Sequence, residues 1–168
     1  MGVARERIGQ RENNMKREII LLRHAHAEKT PPDGGDAQRP LSARGVAEAR
    51  DAGHWLRAHN ALPASILCSP STRTLQTLDT ALGDVKRTLE PRIYEATAGE
   101  LASLIDEYAD TPRLLLVGHN PGFETLVALL ATGQSGDFRG VPPGGVAWIE
   151  IDGMAEPGAG VLKAFWSP

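Results

Sequence analysis

Two arginines and two histidines carry the chemistry that this sequence offers. Arg23 and His24 follow the run Ile-Ile-Leu-Leu, Arg73 stands four residues after Ser69, and His119 follows Leu-Leu-Leu-Val-Gly. A phosphoryl group has three peripheral oxygens, and arginine supplies a permanently charged planar fork that matches them. A neutral imidazole nitrogen can attack phosphorus directly and form a covalent phosphohistidine, so that one difficult displacement becomes two easier ones. His24 is the candidate nucleophile, and its other ring nitrogen requires an acceptor, for which a carbonyl in the adjacent turn is expected. Arg23, Arg73 and His119 are the candidates for binding the phosphoryl oxygens and stabilising their charge in the transition state. If the strand carrying His24 persists, His26 shares its face and is expected to line the entrance or bind substrate.

Other chemistries fit these residues less well. His24, His26 and His119 with Asp33 or Asp36 form a conceivable zinc set, but Arg23 and Arg73 would then oppose the cation beside them, so no metal is expected. Cys68 and Arg73 suggest a cysteine phosphatase loop, yet only four residues, Ser69 to Thr72, separate them, one fewer than that signature has. Cys68 also sits in an apolar run, where thiols are buried and inert. No Walker loop or dinucleotide fingerprint is present, so no cofactor is expected. His54 and His59 lie within or just after a helical pattern, remote from the apolar runs, and read as structural.

The elements that must position these groups follow a repeated order. Glu18 to Leu22 reads as a central strand buried on both faces. Ser42 caps a helix through Ala43–Asn60, with Val46, Ala49, Gly53 and Leu56 along one stripe. SILCS at 65–69 reads as a strand ended by Pro70, and the helix after it carries Leu75, Leu78 and Leu82. Thr97 and Glu100 make a capping box ahead of Leu101, Leu104, Ile105 and Tyr108 at helical spacing. Arg113 to Val117 reads as a strand, and Gly118 to Gly122 turns into the apolar helix FETLVALLAT. VAWIEI and GVLKAFW flank a turn-rich stretch and predict a closing hairpin. Alternating strands and helices argue for an α/β sandwich whose mostly parallel sheet has helices on both faces. In such sheets ligands bind beyond the carboxyl ends of the strands, where the arginines and histidines fall. Gly and Pro cluster at 31–40, 133–145 and 153–160, which are loops; the Pro-Pro-Gly-Gly stretch at 142–145 precedes a strand.

Taken together, LLRHAHAE, RPLSARG, CSPSTRTLQT and LVGHNPGFE, in that order and each after an apparent strand where the key residues stand, resemble the histidine phosphatase (phosphoglycerate mutase-like) superfamily. Their arrangement is most similar to its small SixA-type phosphohistidine phosphatase branch, over about Lys16 to Phe165. The resemblance implies a three-layer α/β/α sandwich, His24 as the phosphorylated nucleophile, and Arg23, Arg73 and His119 as the rest of the phosphate pocket. Two departures stand out. Ala25 replaces the glycine that many members carry after the Arg-His pair. Glu95 lies where phosphomonoesterases of the superfamily place the acid that protonates the leaving oxygen, and its role stays open between that acid and a solvated carboxylate. A protonated imidazole leaves phosphorus with less help than an alkoxide, so a weak acid favours phosphoramidate substrates.

Size and charge bound the remaining choices. The chain has 168 residues and a formal charge of -3, which argues for one domain over 15–168 preceded by a flexible leader at 1–14. A nearly neutral surface offers little attraction for nucleic acid or an anionic membrane. No apolar run approaches the length of a membrane helix and the leader has no signal-peptide core, so a cytoplasmic location is expected. One cysteine excludes an intrachain disulfide framework. The function expected is a metal-independent phosphohistidine phosphatase acting on a phosphohistidine-bearing protein, such as a phosphotransfer domain. A small-molecule phosphomonoesterase and a non-catalytic phosphate-binding module stand as alternatives.

Overall fold

A computed structural model describes residues 16–31, 33–136 and 140–168. The leader expected at 1–14, together with Met15, lies outside the described residues, as do positions 32 and 137–139 of two expected loops. The described chain forms six strands, β1 (Arg17–Arg23), β2 (Ser65–Cys68), β3 (Thr88–Leu89), β4 (Arg113–Gly118), β5 (Val146–Ile151) and β6 (Gly160–Trp166), and four helices, α1 (Ala43–Ala58), α2 (Thr72–Leu82), α3 (Ala98–Glu107) and α4 (Gly122–Thr132). The strands make one sheet in the order β3-β2-β4-β1-β5-β6. Its first four strands run parallel, and β5 and β6 close it as the antiparallel hairpin expected at the edge.

The central position of β1 explains its unbroken apolar run. Ile19 and Leu21 pack on one side with Leu101 and Ile105 of α3 and Phe123 and Leu126 of α4. Ile20 and Leu22 pack on the other with Leu56 of α1 and Leu78 of α2. Both faces of the strand are thus covered by helices, which gives the α/β/α sandwich. The caps agree with the sequence: the Ser42 side chain accepts from the Gly45 N–H, and Thr97 and Glu100 form the capping box that starts α3. Val46 is only half-buried and covers a small satellite cluster of Ala25, Leu41 and Ala49. The two-residue β3 and the 3-10 turns at Asp36–Gln38 and Pro91–Ile93 were not anticipated; segments of two or three residues are too short for hydrophobic periodicity to register.

Register positions the site. Arg23 lies opposite Gly118 on β4 and Cys68 opposite Val117 on the same strand. The parallel ladder continues one step beyond the strands, with the His24 N–H bonded to the Gly118 carbonyl and the Ser69 N–H to the Val117 carbonyl, each at 3.0 Å. His24, Ser69 and His119 therefore leave three neighbouring strands abreast. On the face below them, α1 meets α2 so closely that a Cβ on Gly53 would overlap the Ala81 carbonyl oxygen. Gly53→Ala should cost about 1–3 kcal/mol, the usual penalty for overpacking. Denaturant unfolding measures it, and an unchanged midpoint would mean that this contact is not tight.

Candidate active site

His24 stands just beyond β1 with its Nδ1 2.8 Å from the Ala25 carbonyl. A carbonyl only accepts, so the proton resides on Nδ1 and the lone pair on Nε2. The ring lies 5.3 Å from that of His119, centroid to centroid. Burial pulls the His24 pKa down from 6.5 to about 4, with Arg73 and Arg23 adding to the effect and the Ala25 carbonyl opposing it. His119 falls to about 3, again chiefly through burial and then through His24 and Arg73. Both rings are neutral at ordinary pH, and a neutral imidazole can act as a nucleophile.

Three cationic or ring side chains, Arg23, Arg73 and His119, keep unspent hydrogen-bonding capacity. Arg23, the last residue of β1, donates from Nη1 to the Val141 carbonyl at 2.8 Å. Arg73, in the first turn of α2, donates from Nη1 to the Asp36 carbonyl at 2.7 Å and from Nη2 to the Asp36 carboxylate at 3.0 Å. His119 Nε2 pairs with the Ser69 hydroxyl at 2.8 Å. Among the described residues, the buried side-chain polar atoms without a partner are Arg23 Nε, Arg73 Nε and His119 Nδ1. Buried polar groups are seldom left unpaired, and a phosphoryl group offers an oxygen to each.

Beside these residues a cavity of about 510 Å³ opens between Arg73, Tyr94, Glu95, His119 and Pro121. Glu95 is exposed and has a φ of 58°, so the candidate acid does reach the cavity that Arg73 and His119 line. The loop before β5 braces the base of the site. Gly145 accepts the Arg23 N–H through its carbonyl at 3.0 Å, and Gly144 donates to the His24 carbonyl at 3.2 Å. Ala25 is fully buried, and its N–H donates to Thr77 Oγ1 at 3.0 Å, so a residue with a Cβ is accommodated after the Arg-His pair.

Other expectations need correction. His26 does not share the face of His24, because β1 ends at Arg23. Its Nδ1 lies 2.6 Å from the Ser42 hydroxyl, at the start of α1. Among the described residues no three His, Cys, Asp or Glu side chains gather to hold a metal ion. Cys68 is buried, and burial pushes its thiol up to about 12, as expected of an inert core cysteine. His59 stacks on Trp55 at 4.2 Å, outside the site. The sequence reading missed the roles of Ser69, Tyr94 and Val141. It considered Asp36 only as a metal ligand. Contacts across 37 residues, such as Asp36 to Arg73, leave no local signal, although Asp36 does fall in the Gly/Pro-rich loop at 31–40.

Residues 19–120 match the model of the histidine phosphatase superfamily (branch 1). An uncharacterized protein of Mycobacterium tuberculosis is 35% identical over 155 residues, covering 85% of this chain and 98% of the relative. Among solved structures, a protein of Agrobacterium tumefaciens assigned as the phosphohistidine phosphatase SixA superposes with a TM-score of 0.78 at 26% identity, over 90% of this chain and 99% of its own. A second protein with that assignment, from Nakamurella multipartitia, gives a TM-score of 0.78 at 27% identity, over 91% and 96%.

The lowered histidine pKa values have a consequence for stability. Between about 4 and 6.5 the unfolded chain protonates at position 24 while the folded chain does not. The unfolded state therefore binds more protons, and stability should fall as pH drops through that window and level off for this group below about 4. His24→Asn should reduce the slope of melting temperature against pH between those values. An unchanged slope, or a His24 Cε1 resonance titrating near 6.5, would show that the ring is not held neutral by the fold.

Proposed function

The chain belongs to the histidine phosphatase superfamily and is a phosphatase, and from that premise we propose that it removes phosphate from phosphohistidine on proteins through a phosphohistidine intermediate on His24. The observation that carries this reading is the His24 ring: neutral, held through Nδ1 by the Ala25 carbonyl, and neighboured by the unpartnered nitrogens of Arg23, Arg73 and His119. His24 Nε2 attacks phosphorus in line, and the bond to the leaving group breaks with its electron pair going to that group. Arg23, Arg73 and His119 bind the three peripheral oxygens as their charge shifts. Water then attacks the phosphorylated His24 from the vacated side, releasing inorganic phosphate and regenerating the imidazole. No step calls for a metal ion. The buried, inert Cys68 suits the reducing cytoplasm as the compartment.

The cavity supports a leaving group of a particular kind. Arg73 is the one lysine or arginine among its described lining residues, so a leaving group with further phosphates would find no second cation there. An imidazole carries no negative charge and departs protonated. A phosphotransfer domain is the partner that fits, since it presents such a ring on its surface. A small-molecule phosphomonoesterase is the second reading, and it is favoured by the placement of Glu95 on the cavity, where a carboxylic acid can protonate a leaving alkoxide.

Phosphate release is to be followed with a phosphohistidine-bearing protein and with an aryl phosphate ester, in EDTA, for the native chain, His24→Ala and Glu95→Gln. The expected outcome is chelator-resistant release that His24→Ala abolishes, with the protein substrate preferred. Glu95→Gln should cut ester hydrolysis by about 10²–10⁴-fold, the usual contribution of general acid catalysis, and spare the phosphoramidate. Preference for the ester would favour the second reading. Phosphate binding without turnover would leave a phosphate-binding module, and loss of activity in EDTA would require a metal.

A further inference from the structure

Asp36 lies in the loop between β1 and α1, and it engages Arg73 with both of its acceptors. Arg73 Nη1 donates to the Asp36 carbonyl at 2.7 Å and Nη2 to Oδ2 at 3.0 Å. The same Oδ2 accepts the Tyr94 hydroxyl at 2.6 Å, and Arg39 Nη1 donates to Oδ1 at 3.1 Å. Tyr94 in turn lies under the Arg73 guanidinium, 5.9 Å from charge centre to ring centroid, and stands edge-on to His119 at 5.4 Å. Three donors hold one carboxylate. The hydrogen bond from Tyr94, then those from Arg39 and Arg73, keep it far below the usual carboxylate range, so it stays ionised through neutral and mildly acidic pH and cannot serve as a proton donor.

This arrangement occupies the two terminal nitrogens of Arg73 and leaves Nε, buried and unpartnered, as the atom with no bond inside the protein. An unanchored arginine has several rotatable bonds and can present any of its nitrogens. One tied at both Nη1 and Nη2 has its planar fork set in a single orientation before substrate arrives, which is the preorganisation that transition-state stabilisation requires. The loop that bears Asp36 is itself fixed to α2, the helix that bears Arg73: Leu41 N–H donates to Gln76 Oε1 at 2.7 Å, and residues 27 and 41 form an antiparallel bridge.

We propose that Asp36 is a positioning residue for the phosphatase reaction, which holds the Arg73 guanidinium by its two ends so that Nε faces the phosphoryl group, with Tyr94 fixing the carboxylate in turn. This inference rests on the reading of Arg73 as a phosphoryl-binding group. It also assigns a purpose to the short 3-10 turn at Asp36–Gln38, which carries the residue up to Arg73.

A double-mutant cycle tests it, using the full chain, an aryl phosphate as substrate and inorganic phosphate as competitor. Asp36→Asn keeps the shape and removes the charge. Asp36→Ala removes both, and Tyr94→Phe removes only the bond that fixes the carboxylate. Asp36→Ala should lower kcat on the order of tenfold to a hundredfold, the scale of a misplaced catalytic group. Asp36→Asn and Tyr94→Phe should lower it less, and inorganic phosphate should inhibit all three more weakly. Melting temperatures establish that each variant is folded, and Tyr94→Phe keeps the test available if Asp36→Ala is not. In an Arg73→Ala background the further change Asp36→Ala should have no added effect, because a residue that acts only through Arg73 has nothing left to position. Additive losses would overturn the proposal. So would tighter inhibition by phosphate in Asp36→Asn, which would mean that Asp36 competes with the anion for Arg73. Full activity in Arg73→Ala alone would instead overturn the phosphoryl-binding reading itself, and the proposal with it.

Discussion

Two guanidinium groups and two imidazoles, half-buried or buried at one end of a sheet, are electrostatically expensive, and much of the surrounding structure serves to meet that cost. Arginine cannot shed its proton inside a protein, so Arg23 and Arg73 keep their charge in an environment that penalises it. The rings respond in the opposite way and give up theirs, with His24 drawn to about 4 and His119 to about 3. A compact region with two fixed positive charges and two neutral rings results, and an anion is what completes it. Asp36 balances Arg73 directly, whereas Glu124 and Glu48 act on Arg23 only through space. Asp36 engages the terminal nitrogens of Arg73 and leaves Arg73 Nε, like Arg23 Nε and His119 Nδ1, without a partner.

Backbone geometry delivers these groups before any side chain interacts. Parallel pairing of β1, β2 and β4 in consecutive register makes the next residues of each strand neighbours, whatever they are. The loops then secure the geometry from outside the sheet. The stretch before β5 takes the Arg23 N–H through the Gly145 carbonyl and the His24 carbonyl through the Gly144 N–H. Thr77 joins β1 to α2 by accepting from the Ala25 N–H while donating to the Arg73 carbonyl at 2.7 Å. A single hydroxyl therefore ties the segment just after His24 to the turn that carries Arg73.

What could be read from the sequence and what could not divide along physical lines. Strands covered on both faces leave uninterrupted apolar runs, and capped amphipathic helices leave a polar signature followed by a 3.6-residue period. For that reason β1, β2, β4 and all four helices were expected close to where they occur. The same pattern placed Arg23, His24, Arg73 and His119 at strand ends, and the family resemblance drew on it too. The Asp36–Arg73–Tyr94 network could not be read this way, because its members lie 37 and 58 positions apart and meet only after the sheet has formed. His26 shows the converse failure. Alternation along a strand holds only while the strand continues, and β1 stops one residue before His24, so the period that would have paired His26 with His24 does not apply.

Glu95 shows how local strain and function meet at the site. A non-glycine residue at positive φ costs on the order of 1–3 kcal/mol and persists only where its surroundings determine it. Here they do: the 3-10 turn at Pro91–Ile93 must pass within a few residues into α3, whose start is set by the Thr97–Glu100 capping box. Between them Ile93 and Ala96 are buried, and the Ala96 carbonyl packs so tightly on Gly122 that a Cβ there would stand 2.5 Å from it. With Ile93 and Ala96 committed inward, the exposed Glu95 between them lines the cavity together with Tyr94. Its place beside Arg73 and His119 follows from how the chain turns from one element into the next. The same backbone constraint that holds Glu95 at positive φ thus also places it among the residues that line the cavity.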